Sequence, residues 1–358
     1  MATEKNRNPF TIDYFSNPET YINNSNELYD NAFAASRFGD KSISGNIISG
    51  LRGSGKTTAL KYLQSRLQSN VVNVVLVNSD DDILNNIYEQ SFEALPVDYK
   101  KTLKVNKVDL KLFDISLTSL KNDHFSNSFQ TTFSKLLKIY QELGMFLIVE
   151  IDEIQRVSES LRIFFGALKN IADNLPVYFI GAGLPWAIEE MNDDISLSFL
   201  SRVPNIYFSP ITIEQIVDVY LKEIPGISDE LAVKAANGSK GYPYLYQLIG
   251  YSLWRVNGSI ETQTVDQAIN FAKSTLFKNV YSRVLKSKSE NIKLLVEYME
   301  EENLPEIKVK QIRDHFGWSS SYMSKYRNIL LESGVVASKT YGYLSMMSPY
   351  VGEYLETI

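Results

Sequence analysis

The stretch Gly50-Leu51-Arg52-Gly53-Ser54-Gly55-Lys56-Thr57 matches the pattern G-x-x-x-x-G-K-[ST], and its flanks decide how it is read. The apolar run Ile43–Ser49 before it predicts a strand. Thr57–Gln68 after it carries Leu60, Leu63 and Leu67 on one stripe and predicts a helix. A strand that turns through glycines into a helix is the setting this pattern needs. The glycines let successive backbone N–H groups curl into one anion-sized hollow, and the helix turns its positive end toward it. Gly50, Arg52, Gly53, Ser54, Gly55 and Thr58 would line that hollow, with Lys56 reaching β and γ phosphates and the Thr57 hydroxyl ligating Mg²⁺.

Outward from the loop, β-rich and helical stretches alternate. Val71–Val77 reads as a strand buried on both faces, Asp82–Leu95 as a helix, and Leu103–Leu117 as an inserted pair of strands. Phe129–Leu143 is helical, Met145–Ile151 is the most apolar strand, Ser158–Leu175 is helical and Val177–Ile180 is a strand. Such alternation predicts an α/β fold, a parallel sheet flanked by helices. The strand 145–151 delivers Asp152 and Glu153 to the sheet edge where open α/β sheets bind ligands. There Asp152 can hold Mg²⁺ through its water shell, and Glu153 can polarise an attacking water. Glu150, inside the apolar run, must be paired or must face a polar cavity, and the sequence leaves both open.

After Pro210 the pattern becomes helical: 211–223, 229–237, 244–256 and 264–287. From Ser289 a third unit begins, with helices 290–302, 309–316 and 321–333, a Gly317-Trp318 turn, and β-rich stretches 335–338 and 343–347. Helix, helix, turn, helix, two strands is the order of a winged helix. The organisation expected is an arm at 1–40, an ATPase core at 41–210, an all-α lid at 211–287 and a C-terminal winged helix at 288–358.

Composition narrows the chemistry. The 358 residues contain no cysteine and two histidines, His124 and His315, which excludes disulfides, thiolate nucleophiles, iron–sulfur clusters and cysteine zinc sites. His124 reads as a loop residue, and His315 as a helix-end residue satisfied by local contacts. No apolar run approaches the roughly 18 residues of a membrane span, and the start lacks an export signal, so a cytoplasmic protein with no membrane contact is expected. The net charge of −6 argues against a chain that coats nucleic acid. It is uneven, however: residues 303–345 carry six cations (Lys308, Lys310, Arg313, Lys325, Arg327, Lys339) against three acids. Helix 290–302 is strongly acidic.

The phosphate loop, the Asp152-Glu153-Ile154-Gln155 box, the helical lid and the winged helix resemble the AAA+ ATPases of the archaeal origin-recognition initiator type. In particular they resemble the uncharacterised prokaryotic ATP-binding proteins related to them. Asn8-Pro9-Phe10, Gly181-Ala182-Gly183-Leu184-Pro185, Gly241-Tyr242-Pro243-Tyr244 and the ending around Gly342-Tyr343-Leu344 and Ser348-Pro349-Tyr350 carry the same likeness. The resemblance implies ATP and Mg²⁺ as cofactors, with Lys56, Asp152 and Glu153 catalytic and Thr57 and Asp152 on the metal. It implies an arginine finger at Arg202 that reaches a neighbouring subunit. Read from the residues alone, Arg202 is equally a surface arginine or one that binds its own lid. Gly241, Tyr242 and Pro243 resemble the G-x-P contact on the adenine side of signalling-type P-loop ATPases. Two positions depart from the pattern. Gly181-Ala182-Gly183 lacks the usual Asn, Thr or Ser that orients water, and the nearest lid arginine, Arg255, lies three turns beyond the expected place. Both put fast hydrolysis in doubt.

In helix 321–333, Met323, Tyr326 and Leu330 read as core, while Ser321, Lys325 and Asn328, with Lys339 on the wing, form a candidate duplex-DNA surface. Ser319 or Ser320 makes a sound N-cap. The function expected is an oligomerising Mg-ATPase that couples ATP binding and hydrolysis to conformational change on DNA or on a protein encoded nearby. The alternative is a slow nucleotide-gated switch, a regulator or defence sensor. A metabolite kinase is disfavoured, since a helical lid and a winged helix follow the core.

Overall fold

The computed structural model describes residues 7–13, 18–23, 26–79, 82–100, 123–285 (backbone only for 123–128), 290–302, 304–338, 340 and 342–357. The strand pair expected over 103–117 and the candidate Lys339 lie outside the described residues. Five strands form one sheet: β1 (Gly45–Ser49), β2 (Val72–Asn78), β3 (Phe146–Ile154), β4 (Val177–Gly183) and β5 (Asn205–Tyr207). Their order is β2-β3-β4-β1-β5, and every pair is parallel. Parallel strands need covering on both faces, which is why β3 reads Phe-Leu-Ile-Val with scarcely a polar break. This order sets β1, which feeds the phosphate loop, and β3, which carries Asp152, on either side of β4. Strands β3 and β4 run on to Ile154 and Gly183, past the ends at 151 and 180 that apolar content alone indicates.

Helices cover each face. On one, α1 (Asn26–Phe38) and α2 (Lys56–Leu67) set Leu28, Ala32, Ala35, Leu60 and Leu63 against Ile48, Ile148 and Ile180. On the other, α3 (Ile83–Glu93), α4 (Asp123–Glu142) and α5 (Glu159–Ile171) bring Ile87, Phe133, Phe164 and Phe165 against Val149 and Phe179. Residues 26–38, expected as part of a polar arm, are therefore a helix of the core. Its buried positions 28, 32 and 35 follow the i, i+4, i+7 spacing, but two are alanines and give little hydrophobic signal. His124 lies within α4 rather than in a loop.

Beyond β4 come α6 (Pro185–Asp193) and a 3-10 segment, Ile195–Arg202, before β5. Then follow α7 (Ile213–Glu223), α8 (Asp229–Ser239), α9 (Pro243–Trp254), α10 (Thr262–Leu276), a π turn at Phe277–Tyr281 and α11 (Ser282–Leu285). The C-terminal unit comprises α12 (Glu290–Glu302), β6 (Ile307–Lys308), α13 (Val309–Phe316), α14 (Ser320–Ser333), β7 (Val336–Ala337), β8 (Tyr343–Met346) and α15 (Val351–Leu355). Its three strands pair antiparallel in the order β6-β8-β7.

One apolar cluster runs from α7 to α15 without a break. Tyr281 donates to the Pro349 carbonyl (2.5 Å), Tyr350 donates to the Gly238 carbonyl (2.8 Å), and Lys273 pairs with Glu353 (2.8 Å). The N-terminal segment joins this cluster too. Phe10 is 2% exposed, edge-on to Tyr220 and Tyr246 at 5.8 and 5.9 Å, and Asn8 donates to the Tyr251 carbonyl at 3.1 Å.

Candidate nucleotide site

The phosphate loop closes as its sequence requires. Gly53 and Gly55 take φ of 76° and 92°, the left-handed region that costs a side-chain-bearing residue about 1–2 kcal/mol. The first ladder bond of α2 is Ala59 N–H to the Gly55 carbonyl (2.9 Å), so the N–H groups of Lys56, Thr57 and Thr58 lie ahead of the ladder at the positive helix end. Lys56 Nζ donates to the carbonyls of Gly50 and Leu51, both at 2.7 Å, which holds the ammonium over the loop. Burial pulls its pKa down to about 8; Arg52 beside it acts the same way, while Asp152 and Glu153 act against it. Two buried donors of the loop, Ser54 Oγ and Arg52 Nε, have no hydrogen-bond partner. Unmade bonds of this kind cost about 1–3 kcal/mol each, and an anion's oxygens in the hollow would satisfy them.

The acidic half comes from β3. Thr57 Oγ1 donates to Asp152 Oδ2 (2.6 Å), and the Glu153 N–H donates to Asp152 Oδ1 (2.8 Å). Consecutive strand residues point to opposite faces, so two adjacent carboxylates can serve one site only if the alternation breaks. It breaks here: Glu153 has φ 56°, and the register of β3 on β4 shifts between Ile151 and Ile154. Asp152 is buried, Glu153 is exposed, and both charges act on Lys56. The Thr57–Asp152 pair is an oxygen donor set that suits Mg²⁺. Glu150 is fully buried with neither carboxylate oxygen partnered. Burial, reinforced by Asp152, pushes its pKa well above the carboxylate range, so it is held as the neutral acid.

The Gly241-Tyr242-Pro243 run meets the loop directly. The Tyr242 hydroxyl donates to the Arg52 carbonyl. A Cβ on Gly53 would lie 2.6 Å from the Tyr242 hydroxyl, so the loop needs glycine there for space as well as for φ. At Gly241, φ is 72° and a Cβ would come 2.4 Å from the Ile211 carbonyl, which makes the entry to α9 equally specific to glycine. A Cβ on Gly55 would lie 3.8 Å from Pro243. Arg255, at the far end of α9, donates to the Tyr251 hydroxyl (2.9 Å) and lies about 19 Å along the helix from Tyr242. The end of β4 is bare: the Gly183 carbonyl accepts from the Gly50 N–H (3.3 Å), and Gly181 and Ala182 add no polar side chain.

Arg202 is exposed at the end of the 3-10 segment. Tyr207 pairs with Ser49, the last residue before the loop, and Arg202 lies three residues before the start of β5. No hydrogen bond or ion pair among the described residues joins the Arg202 side chain to the loop. In α14, Met323, Tyr326 and Leu330 are buried and Ser321, Lys325 and Asn328 exposed, and Ser319 caps the helix by accepting from the Tyr322 N–H (3.2 Å). His315 lies tilted against Tyr298 (4.2 Å) and meets Phe316 edge-on (4.7 Å), the local satisfaction its position suggests.

The Aeropyrum pernix ORC2 protein in its ADPNP–ADP complexes superposes on 97% of this chain and 96% of its own, with a TM-score of 0.62 at 14% identity. Its ADP form gives 0.56 at 14% identity over 96% and 94%. The chain has the fold of the archaeal origin-recognition ATPases. That AAA+ fold comprises the α/β core and a helical lid, and the candidate site sits in the core where the lid meets it. Cdc6p from Pyrobaculum aerophilum aligns over 97% of this chain and 96% of its own with a TM-score of 0.46 at 14% identity. Residues 274–355 match a family described as a domain of unknown function (DUF8462). No curated protein sequence matches the chain.

Two contacts at the AAA+ site escape the sequence reading. Gly334, close to Arg52, lies in a stretch without a motif, and the pairing of Tyr242 with Arg52 joins residues 190 apart. No periodic pattern could announce a contact of that separation. Only the glycines at 53 and 241 hint that something packs close. Among the described residues no three His, Asp or Glu side chains cluster as a metal site, and no helix is long and apolar enough to cross a membrane.

Proposed function

We propose that this chain is a Mg-ATP-dependent ATPase that acts as an oligomer and couples ATP binding and hydrolysis to movement of its lid and C-terminal unit on DNA or a protein partner. The observation that carries the reading is the Thr57–Asp152 hydrogen bond beneath a glycine loop with unmade donors. Those two oxygens would hold Mg²⁺, which when bound neutralises phosphate charge. Lys56 and the N–H groups of Lys56, Thr57 and Thr58 would bind the phosphates, Arg52 and Ser54 would complete the cradle, and Glu153 would polarise the attacking water. Arg202, exposed on the segment that leads into the edge strand β5, would serve the site of a second copy. The placement expected for the units (core to 210, lid 211–287, winged helix 288–358) and a cytoplasmic location belong to the same reading. In the winged helix, Ser321, Lys325 and Asn328 would face duplex DNA.

A second reading is favoured by two observations. The end of β4 offers no water-orienting side chain, and Arg255 is engaged with Tyr251 far from the loop. Both fit a switch that holds ATP and turns it over slowly. Steady-state turnover separates the two. An active wild type that loses roughly 100-fold in Glu153→Gln while still binding nucleotide establishes the ATPase. A slow wild type unchanged by Glu153→Gln establishes the switch, and nucleotide binding that survives intact in Lys56→Ala refutes the site itself.

A further inference from the structure

We propose that the C-terminal unit forms a third wall of the phosphate site, and that Arg52 ties its seating to bound nucleotide. The proposal rests on reading the glycine loop as a nucleotide site. Gly334 ends α14 with φ 72°. A Cβ there would lie 3.2 Å from Leu184 Cδ2 and 3.3 Å from Arg52 Cγ, so the backbone of the C-terminal unit closes directly over the stem of the loop arginine. The Gly334 carbonyl is fixed by the Ser348 hydroxyl (3.3 Å). A second point of the same seat lies nearby: the charge of Arg327, on α14, acts on the half-buried carboxyl of Glu189, on α6.

What this seat covers is a cation short of partners. Arg52 Nε is buried and makes no hydrogen bond, and none of the ion pairs among the described residues includes Arg52. Its charge bears on another cation, Lys56. Covering a guanidinium that lacks an anion is unfavourable, whereas a phosphate oxygen would give it a charge-assisted hydrogen bond. A closed seat and a bound polyphosphate therefore stabilise each other. Without nucleotide the unit opens more readily and water reaches Arg52. By linkage the effect is reciprocal, and a loosened seat weakens nucleotide binding. Arg52 is thus a positioning residue with two clients, the phosphates and Gly334.

The test is amide exchange over residues 326–338 of the full chain, with and without a non-hydrolysable ATP analogue, alongside its affinity measured by a fluorescent nucleotide. Analogue should slow exchange there roughly tenfold in the wild type. Arg52→Ala should keep its melting temperature, bind the analogue several-fold more weakly and, at saturating analogue, lose that slowing, whereas Arg52→Lys, which keeps the cation, should retain it. Gly334→Ala, which props the seat, should weaken the analogue's affinity several-fold. Slowing that persists in Arg52→Ala, or a wild type that binds the analogue with unchanged exchange, overturns the coupling alone. A wild type that binds no nucleotide overturns the coupling and the proposed function together.

Discussion

The crevice at the end of β1 and the outer face of α14 are both candidate contact surfaces, and they are built in opposite ways. In the crevice nearly every group is fixed by something that cannot be exchanged: a left-handed glycine, a helix end, a 2.6 Å hydroxyl–carboxylate bond, a tyrosine lying on Gly53. On α14 the outward residues Ser321, Lys325 and Asn328 hang from a helix whose stability comes from Met323, Tyr326 and Leu330 on its other side. Where backbone geometry makes the site, single changes abolish it. Where exposed side chains make it, changes act by degrees.

The sharpest way to break this contrast is Arg202→Ala. It is exposed at the end of the 3-10 segment, so if it completes a neighbour's site its loss should cut ATP turnover about 1,000-fold and leave nucleotide affinity intact. Mixing Arg202→Ala with Lys56→Ala subunits should then restore part of the activity. Turnover unchanged in Arg202→Ala would show that the crevice is complete within one chain.

A pH titration probes the crevice more gently. The nucleotide-free ammonium of Lys56 titrates near 8, and phosphate charge would raise that value. Above pH 8 binding must therefore take up a proton, approaching one per site, and affinity should fall by up to about tenfold per pH unit. Calorimetry in buffers of different ionisation enthalpy measures this directly. Because Lys56 is lowered from 10.5, the unfolded chain holds more protons between the two values, and the nucleotide-free protein should gain stability as pH climbs from about 8 to 10.5.

Glu150 gives the opposite slope. Its acid form is favoured by folding, so its contribution to stability falls as pH rises above the ordinary value of 4.5. Glu150→Gln, which copies the neutral acid, should flatten that slope in melting curves and cost little at neutral pH. The smallest effect belongs to α14. If it contacts duplex DNA, Lys325→Ala should lower affinity a few-fold on any sequence and reduce the salt slope by about one. Affinity that ignores salt would remove the backbone-contact role altogether.

The same contrast explains what could be read in advance. Strand, loop and helix around 50–57 were legible because each residue type there has a conformational reason, and Asp152 followed from the apolar run that delivers it. Helix α1 was hidden because alanines do the packing at 32 and 35. The final residues of β4 were hidden because Gly-Ala-Gly carries no alternation. Glu153's left-handed φ, which lets two neighbouring carboxylates serve one place, has no signature in side-chain pattern. Contacts such as Tyr242 on the loop or Gly334 over Arg52 are long-range and rest on missing side chains, which a sequence records only as glycine.

Phe10 has a consequence for how the molecule is made. Its ring occupies the space a side chain at Gly250 would need, and Asn8 bonds residue 251, a separation of 243 residues. During synthesis Phe10 leaves the ribosome more than 200 residues ahead of α9, yet its resting place does not exist until α9 has followed. Phe10 must therefore wait unhoused while the α/β core assembles. Its docking closes one of the longest loops in the chain and belongs among the late events of folding.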